Sequence, residues 1–112
     1  MTEVQPIVKP VRTRDPGHLD NVRLGGCEVP GCTRRPVSAH HITFAQPKAR
    51  GLKVGDQHTI GLCEELHHSA QSNEGVHHTG DERGWYPRHG IPDPLGAAAR
   101  NYAATLALRS KP

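Results

Sequence analysis

Apolar positions are sparse along this chain and gather in short runs between long polar stretches. Val37 to Ile42 reads as a strand and His58 to Leu62 as a second one, with a basic loop from Thr43 to Gly55 between them. A helix is expected to begin near Cys63, with Glu64 and Glu65 in the first turn, where acidic side chains suit the helix dipole. Strand, loop, strand and helix make a ββα unit. Ser69 to Gly75 is polar and ends in Asn73-Glu74-Gly75, which predicts a break. Asp81 opens a short segment containing Trp85 and Tyr86, and Gly90 stops it. Asp93-Pro94 is an N-cap followed by proline at the first helical position. The alanine-rich stretch beyond it puts Leu95, Ala99, Tyr102 and Leu106 on one face of a helix running to about Arg109. Residues 1–24 hold Pro6, Pro10 and Pro16 among charges without any period, and read as an extended basic arm. Residues 25–112 then form a single domain of α+β class, with helices at its C-terminal end.

Composition makes that core small. Hydrophobic residues are 34% of the 112, and Val, Ile, Leu and Phe together are just under a fifth. A core of this size usually needs a disulfide or metal staple. Three cysteines cannot all pair within one chain. The first 24 residues are polar, with no apolar run of signal-peptide type, and no window reaches the length of a membrane span. The expectation is a cytoplasmic protein with reduced thiols, no membrane association and a monomeric state. In such a compartment, cysteines near histidines more often bind metal than each other. The net charge of +3 suits a polyanionic partner and does not require one.

Spacing sharpens the metal reading. Cys27 and Cys32 flank the tight turn Pro30-Gly31, which aims two thiolates at one point. Cys63 and His67 are four apart and share a face if helical. Cys27, Cys32, Cys63 and His67 therefore predict a closed Cys3His structural Zn2+ site. The plainer alternative is three small buried cysteines. His68 is the neighbouring candidate for the fourth ligand. His40-His41 falls on the first strand, where neighbours point to opposite faces. One of the pair can hold a metal while the other does different work, and histidine suits a general base because it titrates near neutrality. Taken alone, the pair also fits a histidine-rich surface.

The order of these motifs carries more than each motif does. Cys-x4-Cys, then His-His on a strand, then Cys-x3-His-His resembles the zinc-containing HNH, or His-Me finger, endonucleases. The closer resemblance is to small bacterial and prophage HNH-like proteins related to RecA-dependent phage nucleases. It covers roughly residues 25–100. The stretches that carry it are Ala39-His40-His41 with Phe44-Ala45-Gln46-Pro47, Gly51-Leu52-Lys53-Val54 with Asp56, and Gly80-Asp81-Glu82 with Trp85-Tyr86 and Gly90-Ile91. The resemblance implies a zinc-stapled ββα-metal fold. It makes His40 and His68 ligands of a catalytic divalent metal (Mg2+, Mn2+, Ni2+ or Zn2+) and His41 the general base. Where the family places an asparagine before the helix, this chain offers His58 or Asp56, and Asp56 is the choice. Where the closer group has a third helix histidine, this chain has Ser72, with His77 and His78 following an inserted stretch, Ser69 to Val76. Either the chain loops back so that His77 completes the site, or the site has one ligand fewer.

Lys48, Arg50 and Lys53 lie between the strands and are the candidate phosphate contacts, with Lys9, Arg12, Arg14 and Arg23 of the arm as a second group. A solvated loop is the alternative for the first group and an idle tail for the second. Trp85 and Tyr86 can stack on bases or pack the last helix onto the ββα unit, and scarcity of other aromatics favours packing. The expected function is metal-dependent hydrolysis of DNA phosphodiesters with low sequence specificity, with or without a recombinase filament as partner. The rivals are a non-catalytic zinc module that binds nucleic acid and a protein–protein adaptor in a phage or recombination setting.

Overall fold

The computed structural model describes residues 12–46 and 54–110. Helix α1 spans Pro16–Leu24, strand β1 Val37–His41 and strand β2 Thr59–Cys63; helices α2, α3 and α4 span Val76–Thr79, Glu82–Arg88 and Pro94–Arg109. A single wide turn of π type, Glu64–His68, follows β2 directly. The strands pair antiparallel, with Val37 opposite Cys63 and His41 opposite Thr59. The result is a small α+β fold of two strands and several helices. Among the described residues, no helix is long and apolar enough to cross a membrane.

The three Asp-led helix starts share one mechanism. The carboxylates of Asp15, Asp81 and Asp93 each accept the backbone N–H three residues on, from His18, Gly84 and Gly96. Each such cap contributes on the order of 1 kcal/mol. This corrects the reading of residues 1–24 as an extended arm. Residues 16–24 are helical because Asp15-Pro16 caps and starts them as Asp93-Pro94 starts α4, and His18 and Val22 are buried. The first eleven residues lie outside the described part.

The core consists of Ile42, Ile60, Leu62, Val76, Trp85, Tyr86, Ile91, Ala97 and Ala98. Trp85 and Tyr86 are only 2% and 0% exposed, so they pack and do not offer faces to bases. The buried residues of α4 are Ala97, Ala98 and Thr105, and not the predicted stripe; Leu95 and Leu106 are 40% and 45% exposed. Small residues let the helix approach β2 closely, while the larger side chains border an open groove with Ala45 and His58. Gly61 serves close approach in the same way. A Cβ there would stand 2.3 Å from the Gly26 carbonyl oxygen, and the Glu28 N–H donates to the Gly61 carbonyl at 2.7 Å. That contact lays the Cys27 turn against the strand that ends in Cys63.

A buried histidine joins three elements. His18 lies between Thr105 Oγ1 at 2.6 Å and Thr59 Oγ1 at 3.4 Å. The Thr59 hydroxyl donates to the Asp56 carbonyl, so its oxygen accepts from His18 Nε2–H, and Nδ1 accepts from Thr105. Both ring atoms are thus satisfied in the neutral form. Burial, opposed by Asp15, holds the imidazole below its ordinary value. A depressed histidine stabilises the fold above the unfolded value of about 6.5 and loses that contribution as pH falls through the lower folded value. Unfolding profiles of the parent and His18→Leu are therefore expected to converge on acidification below pH 6.5. Parallel profiles would contradict the neutral assignment.

Candidate metal centres and a buried carboxylate–histidine pair

The four residues grouped by spacing converge. The donor atoms of Cys27, Cys32, Cys63 and His67 all lie within 4.8 Å of one another, so the group can hold a metal such as zinc. Cys27 Sγ and Cys63 Sγ stand 3.5 and 3.1 Å from His67 Nδ1. Tetrahedral zinc with ordinary Zn–S and Zn–N bonds implies an edge of about 3.5 Å, so these donors fit the ion. Gly31, at φ +79, supplies the left-handed residue that the turn needs, and the Cys32 N–H donates to the Val29 carbonyl at 3.0 Å. Burial pushes the Cys27 thiol up to about 12, which a bound cation would reverse. His67 is held below its ordinary value by burial and by His89. Trp85 and His89 stack at 4.2 Å beside it.

The expected helix after β2 is only the five-residue wide turn. Its stop is chemical. The hydroxyl oxygens of Ser69 and Ser72 accept the N–H groups of Gln71 and Glu74, competing with helix continuation. The short turn sends consecutive side chains in different directions: His67 to the cysteines and His68 to a second cluster.

That second cluster is His40, His68 and His77, again with donor atoms within 4.8 Å. The chain does loop back after Ser69, and α2 brings His77 to His68, with Nε2 to Nε2 at 3.1 Å. Two imidazole nitrogens on one tetrahedral metal would stand about 3.3 Å apart. His78 turns away, its Nδ1–H donating to the Ala70 carbonyl at 3.0 Å. His40 lies 5.3 and 5.1 Å from the other two rings, centroid to centroid. His68 is held at about 4 by burial first, then by His40 and His77; burial and His40 also lower His77. Both shifts favour the neutral ring, the form that a metal ligand must take.

His41 diverges from His40 as strand alternation requires. His40 is buried, whereas the His41 side chain is 30% exposed and its Nε2 meets Asp56 Oδ1 at 2.8 Å. Asp56 is held from its other oxygen by the Asp15 N–H at 2.7 Å, and its own N–H donates to the Thr13 carbonyl at 2.8 Å. Arg109 clasps the Asp15 carboxylate at 2.6 and 2.7 Å, so the end of α4 also steadies this support. Burial would raise the Asp56 carboxyl, but donation from His41 and the Asp15 N–H outweighs it and the net shift is downward. An ionised carboxylate only accepts, so His41 Nε2 carries a proton and, in the neutral ring, Nδ1 carries the lone pair. Arg14 approaches the same carboxylate at 3.7 Å, and Arg23 pairs with Asp20.

Lys48, Arg50 and Lys53 lie outside the described residues. Sequence reasoning quoted Glu82 and Tyr86 without giving them a part in the site, yet both meet His40 Nε2. Their only local signal is the i,i+4 spacing on α3. Comparison with family models, with curated proteins and with solved structures finds no match.

Proposed function

We propose that this chain is a zinc-stapled ββα-metal endonuclease of the HNH, or His-Me finger, kind, hydrolysing DNA phosphodiester bonds with low sequence specificity. The observation that carries the reading is the pairing of His41 with buried Asp56, on the strand whose preceding residue, His40, belongs to the His40–His68–His77 cluster. A Cys3His group elsewhere in the same small chain accounts for the staple. A histidine with a carboxylate behind one nitrogen and a lone pair on the other is built to accept a proton.

In this mechanism His41 Nδ1 takes the proton of the attacking water. The water oxygen bonds to phosphorus as the bond from phosphorus to the 3′-oxygen breaks. Asp56 keeps the ring oriented and stabilises the imidazolium that forms. A divalent ion held by His40, His68 and His77 would supply positive charge to the phosphate and the leaving oxygen. Lys48, Arg50 and Lys53 supply the sequence-independent attraction to phosphate.

The test is nicking of supercoiled plasmid by the purified chain in Mg2+, Mn2+, Ni2+ and Zn2+, alone and with a recombinase filament. Conversion to open circle in at least one metal, abolished by chelation, is the expected result. If no metal gives cleavage under either condition, the nuclease reading fails and a non-catalytic zinc module takes its place.

A further inference from the structure

Among the clustered histidines, His40 is the one gripped from behind. Its Nε2 lies 3.0 Å from Tyr86 Oη and 3.4 Å from Glu82 Oε2. Tyr86 donates its own hydroxyl proton to Glu82 Oε2 at 2.5 Å, so the hydroxyl oxygen faces His40 as an acceptor. Glu82 also receives the Thr43 N–H at 3.1 Å and the Thr43 hydroxyl. These donors tie the carboxylate at the start of α3 to Thr43, two residues beyond the end of β1. A glutamate that receives donors from Thr43 and Tyr86 is an ionised carboxylate at neutral pH and only accepts.

A ring nitrogen that faces two acceptors must carry the proton. Glu82 is not among the three donors that converge, so this carboxylate touches His40 without being a ligand of the cluster. We infer that Glu82, with Tyr86 beside it, is a positioning residue that fixes His40 in its Nε2–H form and leaves Nδ1 as the nitrogen it offers to a metal. The inference rests on the reading of His40, His68 and His77 as a metal site. It gives α3 a part in that site: the helix carries the carboxylate that sets the orientation and basicity of the strand ligand.

Removal of such outer partners typically weakens metal affinity by about 10–100-fold. The experiment uses the full chain with its cysteine site loaded with zinc, titrated with Co2+ calorimetrically. Glu82→Gln keeps the size of the side chain and an oxygen for the Thr43 N–H. It is expected to lower Co2+ affinity by about 10–100-fold while zinc content and far-ultraviolet dichroism stay unchanged. Thr43→Ala, which loses the hydroxyl donor and keeps the backbone N–H to Glu82, is expected to change affinity less. Long-range nitrogen–proton NMR on the parent reads the His40 tautomer without any substitution, and a proton on Nε2 is expected. A proton on Nδ1, or unchanged affinity in Glu82→Gln while His40→Ala and His77→Ala lose Co2+ binding, overturns this inference alone. If His40→Ala and His77→Ala bind Co2+ as the parent does, the metal-site reading itself fails.

Discussion

A chain carrying Cys63→Ser is expected neither to bind zinc at the Cys27–Cys32–Cys63–His67 group nor to keep its fold. Cys63 is 1% exposed and ends β2 opposite Val37, so it links the sheet to the turn that bears Cys27 and Cys32. A structural zinc contributes on the order of 10 kcal/mol in small domains. A whole domain is stable by only about 5–15 kcal/mol. The apolar cluster among the described residues is nine, two of them alanine, and cannot cover a loss of that size. Serine keeps the shape but offers a poor ligand where a thiolate is needed. Far-ultraviolet dichroism and elemental analysis check this together. A folded, zinc-free Cys63→Ser protein would sink the staple.

The second large effect separates two adjacent histidines. His41→Ala is expected to reduce plasmid nicking by about 10²–10⁴. Zinc content, folding and metal affinity at the histidine cluster are expected to stay as in the parent, because His41 joins Asp56 and not the cluster. His40→Ala is expected to abolish nicking through loss of the second metal, since His40 belongs to the cluster. Metal titration distinguishes the two even when both are inactive. Parental cleavage by His41→Ala would remove it as the base.

Much of the candidate site was legible because its signals are local. Pro30-Gly31 between two cysteines, and Cys63 four residues before His67, need only a turn each to converge. Asp93-Pro94 marks the start of α4 for the same reason. The identical signal at Asp15-Pro16 has no apolar stripe behind it, because α1 buries only a histidine and a valine. The packed face of α4 was hidden by a similar cause. Ala97, Ala98 and Thr105 are weak hydrophobic marks, whereas the visible leucines stay half exposed. Whether His77 or no residue replaced the missing helix ligand depended on how a polar stretch folds back, which spacing does not specify. Contacts across long separations were out of reach. Glu82 meets His40 over 42 residues, and the Asp15 N–H meets Asp56 over 41. The first reads in sequence as an ordinary acidic residue of a helix start, and the second involves no side chain of Asp15 at all.

The nuclease reading stands on two metal positions of different kinds in one chain, and metal stoichiometry tests that directly. Elemental analysis of the purified full chain, before and after dialysis against a mild chelator and again after readdition of Zn2+, is the measurement. The expected result is one tightly kept zinc and a second, exchangeable ion, with only the second lost in His77→Ala. Well-folded protein without zinc, or a second equivalent that His77→Ala retains, would contradict it.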